Sequence, residues 1–288
     1  MASVFITGSA DGLGRLAAQR LVASSHDVVL HGRDRNRAQE ALRSVPGART
    51  ALAGDLASIE ETRALAEQAN AAGPFQTVIH NAGVQSIHNA GVYRPNAARL
   101  ETLDGLENTF AVNALAPYLL TALIASPQRI VFLTSELHRS GEPDLSDLQW
   151  RDRRWSGSQA YSNSKLIVVT LAFGVARRWP HVLSNAVNPG WVPTKMGGPQ
   201  APDDLELGAE TQVWLAVSAE RDALVSGKYL YHKQIRSAHP AASDVNFQNQ
   251  VLDACARLTG AELPSALAPT VRNAMSAVTA APRSKRAR

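Results

Sequence analysis

The chain has 288 residues, of which 45% are hydrophobic, 19% are charged and 6% are aromatic. This composition allows one large buried core and favours parallel strands covered by helices over an all-β sandwich. Cys255 is the only cysteine, which excludes an internal disulfide, and the net charge of +4 is scattered rather than concentrated in one domain.

Apolar runs typical of strands alternate with segments of helical spacing. In chain order, we predict a strand at 4–7, a helix at 13–24, a strand at 27–30, a helix at 35–44, a strand at 50–53, a helix at 59–71, a strand at 77–80, a helical region at 103–125, a strand at 129–134, a helix at 159–179, a strand at 183–187, a helix at 205–218 and a last strand at 227–231. This alternation predicts an α/β fold, with a doubly wound, mainly parallel Rossmann-type sheet flanked by helices.

We interpret residues 1–263 as a single domain, because no linker interrupts the alternation, and residues 264–288 as a poorly structured basic tail. The tail could contact nucleic acid or an anionic surface, or it could simply keep a frayed terminus solvated. It has no aromatic side chain for base stacking, so we predict no nucleic-acid partner. Its charge comes from Arg283, Lys285, Arg286 and Arg288.

Targeting and metal-binding patterns are not found in the sequence. No basic segment with a small-residue cleavage site precedes the first strand, and no apolar stretch is long enough to span a bilayer. We therefore expect a cytoplasmic protein without a membrane partner. The eight histidines show neither His-x-x-x-His nor Cys/His spacing, so we expect no metal site.

A glycine-rich segment, TGSADGLG at 7–14, connects the first predicted strand to the first predicted helix. Gly8, Gly12 and Gly14 permit a sharp turn and a close approach of a pyrophosphate. The helix that follows would attract the phosphates with its free N–H groups and its positive dipole end. The strand–turn–helix context therefore indicates a dinucleotide site.

The charge at the tip of the second strand bears on the choice of dinucleotide. An acidic residue there would bind the adenine ribose hydroxyls, whereas a basic residue accommodates a 2′-phosphate. Arg33 occupies this position, with Arg35 or Arg37 as possible helpers. Asp11 and Asp34 oppose an extra phosphate, but the cation leads us to predict NADP(H) in preference to NAD(H).

Tyr161 and Lys165 are four residues apart on a predicted helix and share one face of it. A nearby ammonium and a cationic nicotinamide would lower the pKa of the phenol from its usual value of about 10. Tyr161 could then act as general acid to a carbonyl or as base to an alcohol. Ser135 follows the buried strand RIVFLT and could hold the substrate oxygen. Asn113 lies in an apolar helical stretch, as a core amide or as a site residue.

These segments together resemble the short-chain dehydrogenase/reductase family over residues 1 to about 231. The retinol-dehydrogenase-like and bacterial ketoreductase branches are the more similar ones, as DLSDL at 144–148 and the glycine-rich stretch after residue 194 suggest. The motifs occur in the family's order: TGSADGLG (7–14), GDL (54–56), HNAG (80–83), VNAL (112–115), Ser135, YSNSK (161–165) and NPGWVPT (188–194).

The resemblance implies a role for each matching residue. Ser135 would position the substrate oxygen, and Tyr161 would exchange the proton. Lys165 would lower the tyrosine pKa and hold the nicotinamide ribose, and Asn113 would anchor a water. Family members are often dimers or tetramers, which suggests a homodimer or homotetramer. With Arg33, the implied cofactor contacts are Gly8, Ser9, Asp11, Gly12, Leu13, Gly14, Asp55, Leu56, Asn81, Ala82, Gly83, Tyr161, Lys165, Pro189, Gly190, Val192 and Thr194.

The substrate end is less defined by the sequence. Residues 193–204 are rich in glycine and proline and predict a mobile lid. We expect a small apolar ketone, aldehyde or alcohol, bound through Ser135. The candidate pocket residues, each of which could equally serve ordinary packing, are Leu137, His138, Trp191 and Met196.

Two positions leave alternatives open. The HNAG motif recurs at 88–91, so Asn89 could replace Asn81, although residues 77–79 make the better preceding strand. Glu136 follows Ser135 where a small residue is more usual, and it could face the pocket or solvent.

The sequence favours an NADP(H)-dependent oxidoreductase that interconverts a carbonyl and an alcohol. A non-catalytic NADP(H)-binding sensor or scaffold is the alternative, but it would need a broken set of serine, tyrosine and lysine, and this chain keeps Ser135, Tyr161 and Lys165. A sugar-nucleotide epimerase or dehydratase would carry a different glycine spacing and a larger C-terminal substrate domain.

Overall fold

A computed structural model describes residues 1–85, 98–125 and 127–265, together with the backbone of 88–89 and 92–93. Most of the predicted tail, from residue 266 onward, lies outside this range, and so do Ala90 and Gly91 of the second HNAG copy.

Eight strands form one sheet in the order β10-β9-β8-β7-β4-β1-β2-β3, and all neighbours are parallel except β9 and β10. A separate antiparallel pair, β5–β6, lies in the segment after β4. This confirms the predicted doubly wound α/β fold. The strands are β1 Ser3–Ile6, β2 Asp27–Gly32, β3 Thr50–Ala53, β4 Thr77–His80, β5 His88–Asn89, β6 Val92–Tyr93, β7 Arg129–Leu133, β8 Leu183–Asn188, β9 Tyr229–Tyr231 and β10 Gln234–Arg236.

Helices cover both faces of the sheet and bury its apolar residues in three clusters. One cluster lies beneath α6 and α8, the second beneath α1 and α7, and the third beneath α3 and α5. The helices are α1 Gly12–Ala23, α2 Arg35–Ser44, α3 Ile59–Ala72, α4 Asn108–Phe110, α5 Ala116–Leu123, α6 Gly157–Arg178, α7 Leu205–Val217 and α8 Val245–Thr259.

The predicted helical region at 103–125 begins too early. The helix starts at Asn108, because the buried carboxylate of Glu107 accepts hydrogen bonds from the N–H groups of Thr109 and Phe110. Between α4 and α5 the backbone forms a π-helical turn, Ala111–Leu115. Pro117 has no N–H to donate to the carbonyl one turn earlier, which favours this change of winding.

Two elements follow the strand that was predicted to be the last. Strand β10 pairs with β9 through a two-residue turn in which His232 and Lys233 both have positive φ, at 46° and 62°. Two-residue turns of this kind usually contain Asn-Gly, and because this one is His-Lys, β10 was not predicted from the sequence. Helix α8 has recognisable end signals in the sequence. Asp244 caps its first turn, and Gly260 ends it in the left-handed conformation.

Residues 7–11 connect β1 to α1, and this glycine turn is tightly packed. A side chain on Gly14 would lie well inside van der Waals distance of the Asn81 Nδ2 atom and the Gly8 carbonyl oxygen. The absence of a side chain therefore lets α1 approach the ends of β1 and β4.

We expect Leu252→Ala to lower the free energy of unfolding by about 3 kcal/mol, since this α8 side chain is buried against α6 beside Gly174. Urea unfolding followed by circular dichroism measures the change. Val245→Ala, on the exposed side of the same helix, is the control and should cost less than about 0.5 kcal/mol. Equal effects of the two substitutions would contradict the docking of α8.

Gly14→Ala tests the close approach of α1. Alanine improves helix propensity, but the overlap with Gly8 and Asn81 should still cost about 2 kcal/mol or more of unfolding free energy. Gly174→Ala is the matched control in α6, where the nearest atom to the added carbon would be 3.4 Å away, and we expect it to be neutral or stabilising. The packing argument fails if Gly14→Ala is also neutral in the same urea assay.

Candidate active site

An open cleft of about 800 Å³ lies at the carboxyl ends of the parallel strands. Its centre is at β1 and β4, where the strand order reverses, which is the position where open α/β sheets bind ligands. Many of the sequence-predicted site residues meet there: Gly8, Asp11, Gly12, Leu13, Arg33, Asp55, Leu56, Asn81, Ala82, Gly83, Tyr161, Lys165, Pro189, Thr194 and Met196.

The glycine turn forms one wall of the cleft. Gly8 has φ of 64°, and a side chain there would meet the Ala82 Cα atom at 2.8 Å, so only glycine fits. The Asn81 amide donates to the carbonyls of Thr7 and Gly8 at 3.1 Å each. The Thr7 hydroxyl in turn accepts the N–H groups of Asn81 and Ala82. The first HNAG copy is thus bonded directly to the glycine turn.

Four residues implied as cofactor contacts do not line the cleft: Ser9, Gly14, Gly190 and Val192. Two of them, Ser9 and Val192, have buried side chains. Ser9 is fully buried, and its hydroxyl bonds to the Ile6 carbonyl and the His31 N–H, so it ties β1 to β2. Val192 is also buried, next to Gly208 of α7. Both side chains point into the core, where they contact neighbouring elements. The sequence motif alone does not show this orientation.

Arg33 and Arg37 line the cleft at the end of β2, whereas Arg35 does not. The Arg33 side chain is 73% exposed, and its Nε atom lies 3.5 Å from an Asp34 carboxylate oxygen. Of the two suggested helpers, Arg37 is therefore the one placed beside Arg33.

Asp11, which the sequence analysis counted against an extra phosphate, is held in an ion-pair cluster. The Arg37 guanidinium lies 3.7 Å from its carboxylate, and Lys195 of the predicted lid pairs with the same oxygen. Burial raises the pKa of Asp11, but the hydrogen bonds from Lys195 and the Gly12 N–H, with the charge of Lys195, outweigh it and leave the pKa below its usual value. The two cations offset the negative charge facing the cleft.

Tyr161 and Lys165 line one end of the cleft, and Ser135 lies beside Tyr161 although it does not itself line the cleft. Helix α6 begins at Gly157, capped by Ser156, so Tyr161 and Lys165 are stacked on the face that packs against β7. The Lys165 Nζ atom donates to the Leu133 carbonyl at 3.1 Å and lies 5.5 Å from the centre of the Tyr161 ring. The Ser135 hydroxyl accepts the Leu137 N–H at 3.3 Å and lies close enough to the Tyr161 phenol to favour its ionised form.

Burial sets the protonation of this group. It raises the pKa of Tyr161 to about 12, with the neighbouring Ser135 hydroxyl opposing the rise. It also lowers the pKa of Lys165 to about 8. The expectation that the ammonium lowers the phenol pKa is not met in the protein alone, because desolvation is the larger effect. Near neutral pH, Tyr161 is a protonated phenol beside a cationic Lys165.

Asn113 lies in the π-helical turn and is fully engaged by protein groups. Its Oδ1 atom accepts the Val84 N–H at 2.7 Å, and its Nδ2 atom donates to the Val84 carbonyl and the Ser164 hydroxyl. A side chain on Gly83 would lie 3.4 Å from both Asn113 Oδ1 and Lys165 Nζ. Asn113 therefore fixes the chain after β4 against the helix that carries Lys165.

The four candidate pocket residues are placed differently from one another. Met196 lines the cleft, while Leu137 and Trp191 are 44% and 60% exposed outside it. His138 is fully buried: its Nδ1 atom bonds to the Ser135 carbonyl, its Nε2 atom accepts the His239 N–H, and its ring packs on Tyr229. His138 is thus not a pocket residue, because the 3₁₀ turn after Ser135 rotates it into the core.

Glu136 faces neither the pocket alone nor solvent alone, the two orientations considered from the sequence. Its side chain is 59% exposed, yet one carboxylate oxygen accepts the Tyr229 hydroxyl and the Asn188 amide, and the other pairs with Arg139. It therefore ties the carboxyl ends of β7 and β8 to Tyr229, the first residue of β9.

His31 and Lys195 are among the cleft residues that were not predicted from the sequence. Neither residue belongs to a recognisable sequence pattern. The only local indication that Lys195 could reach the cleft is that it directly follows the NPGWVPT motif. Within the residues that the structure describes, no helix is long and apolar enough to cross a membrane. In the same part of the chain, no three His, Cys, Asp or Glu side chains come together in a cluster fit for a metal ion.

Comparison with known proteins identifies the family. Residues 2–146 match the family model described as short chain dehydrogenase. "Short-chain dehydrogenase chry4" of Gibberella zeae is 40% identical, over 92% of this chain and 100% of the relative. "Putative daunorubicin C-13 ketoreductase DnrU" of Streptomyces sp. is 31% identical, over 90% and 92% of the two chains.

Among solved structures, an uncharacterised protein from Mycobacterium paratuberculosis superposes with a TM-score of 0.77 and 25% identity, covering 92% of this chain and 95% of the other. The fold, the family model and the near full-length relatives agree with the motifs in the cleft. The chain therefore belongs to the short-chain dehydrogenase/reductase family and is an oxidoreductase.

Proposed function

We propose that this protein reduces a ketone or aldehyde to an alcohol with NADPH, using Tyr161 as the proton donor. The observation that carries the proposal is the convergence of Tyr161 and Lys165 at the end of the dinucleotide cleft, with Ser135 beside Tyr161. The Streptomyces relative named as a ketoreductase supports the reaction class.

The residues of the cleft fit a nicotinamide dinucleotide. The glycine turn presents bare backbone where a Cβ atom on Gly8 would collide with Ala82, and it leads into the N-terminus of α1. The cations of Arg33, Arg37 and Lys195 at the cleft suit a cofactor with a third phosphate. These charges support NADP(H) over NAD(H).

When bound, NADPH would supply the hydride to the carbonyl carbon. The protein's own part is to hold the carbonyl oxygen between the hydroxyls of Ser135 and Tyr161 and to deliver a proton to it. With a pKa raised to about 12, Tyr161 keeps its proton near neutral pH, so it is available as the acid. The cationic Lys165 stabilises the phenolate that remains after the transfer.

Lys165 also limits the pH range of the reaction. Its pKa of about 8 means that the ammonium is present below this pH and is lost above it. The phenolate left after proton transfer then loses its neighbouring positive charge, so the same chemistry that favours reduction near neutral pH becomes weaker in alkaline solution.

We expect Tyr161→Phe to reduce kcat by a factor of about 10³ or more, while NADPH still binds, because the phenol contributes in the transition state. NADPH consumption over a panel of graded aldehydes and ketones measures turnover, and nucleotide fluorescence measures binding. Tyr118→Phe is the control, since Tyr118 is equally buried but bonds to the Ala261 carbonyl away from the cleft. Turnover by Tyr161→Phe close to that of the unmodified protein would refute the acid role.

We expect Arg33→Asp to shift the ratio of kcat/KM values for NADPH and NADH at least tenfold toward NADH, since a carboxylate would repel a 2′-phosphate. Arg35→Asp is the matched control, because Arg35 is on the same segment but does not line the cleft. An unchanged ratio for Arg33→Asp, or an equal shift in both variants, would remove Arg33 from cofactor selection.

A further inference from the structure

His31 lies at the carboxyl end of β2 and is 2% exposed, yet its side chain reaches the cleft. Its Nδ1 atom accepts the N–H of Gly8 at 3.0 Å. Its Nε2 atom lies 2.9 Å from the carbonyl oxygen of Gly54 at the end of β3. One imidazole therefore spans the glycine turn and the strand end that leads to Asp55 and Leu56, which also line the cleft.

The two backbone partners fix the protonation of the ring. The Gly8 N–H can only donate, so Nδ1 carries no proton, and the Gly54 carbonyl can only accept, so Nε2 carries one. The ring is thus neutral and in a single tautomer. Burial lowers the pKa of His31, and although the Gly54 hydrogen bond and the charge of Asp55 act in the opposite direction, the pKa stays below its usual value.

The glycine turn has little freedom around this contact. Gly8 is in the left-handed conformation and packs on Ala82 on one side, where a Cβ atom would be 2.8 Å from the Ala82 Cα atom. On the other side, Ser9 exchanges backbone and hydroxyl hydrogen bonds with His31. The His31 imidazole connects this fixed turn to Gly54 through its hydrogen bond to the Gly54 carbonyl.

Building on the proposed function, we propose that His31 is a positioning residue for the cofactor, which holds the glycine turn and the Gly54–Leu56 strand end at the separation that a dinucleotide requires. The side chain acts through Gly8 and Gly54 rather than through the nicotinamide. Its loss should therefore weaken nucleotide binding without removing any residue of the proton-donating group.

The test is a fluorescence titration of the full-length protein and its variants with NADPH. His31→Leu removes both hydrogen bonds, and we expect it to raise Kd at least tenfold. His31→Asn restores an acceptor near the position of Nδ1 and should recover a large part of that loss. His26→Leu is the matched control: the His26 Nδ1 atom also accepts a backbone N–H, from Ala2, but at the opposite end of the same strands, so Kd should stay within threefold.

Each result decides the matter. The inference is overturned if His31→Leu binds NADPH within threefold of the unmodified protein, or if His31→Asn binds no better than His31→Leu. If His31→Leu does not fold, as thermal unfolding would reveal, His31→Phe replaces it, because it keeps a planar ring but makes neither hydrogen bond; a Kd for His31→Phe within threefold of the unmodified protein then overturns the inference.

The same titration separates this inference from the proposed function. An unmodified protein that binds NADH but not NADPH would refute the NADP(H) preference, and the comparison of variants would then be made with NADH. An unmodified protein that binds neither nucleotide would overturn both proposals.

Discussion

The contact between α6 and β7 determines the position of the proposed catalytic group. The Lys165 Nζ atom bonds to the Leu133 carbonyl, and the Thr134 hydroxyl bonds to the Lys165 carbonyl. These two hydrogen bonds are buried, where they are stronger than in water and costly to break. Ser135 follows Thr134 directly, so the strand that anchors the lysine also brings the serine to Tyr161.

The same burial gives these side chains their protonation states. Removing the phenol and the ammonium from water favours their neutral forms, which raises the pKa of Tyr161 and lowers that of Lys165. A buried tyrosine that keeps its proton is suited to donate it to a carbonyl oxygen. Position and acidity are thus two consequences of packing one helix on one strand.

Sequence analysis was most successful where the signal is local. The bounds of α2, β3 and β4 agree with the predicted ones, because hydrophobic periodicity and N-terminal caps act within a few residues. It failed where the outcome depends on distant partners. Ser9 turns into the core between Gly8 and Ala10, which line the cleft, and His138 turns into the core within the 3₁₀ turn that follows Ser135.

The sequence by itself determined the doubly wound sheet, the glycine turn and the motifs of the proposed catalytic group, since strand burial, backbone freedom at Gly8 and the four-residue helical spacing are local properties. Only the tertiary structure decided which side chains reach the cleft and how they ionise. It paired Asp11 with Lys195 and linked Gly8 to Gly54 through His31. These contacts join segments far apart in the chain, and desolvation depends on everything packed around a group, which no single segment encodes.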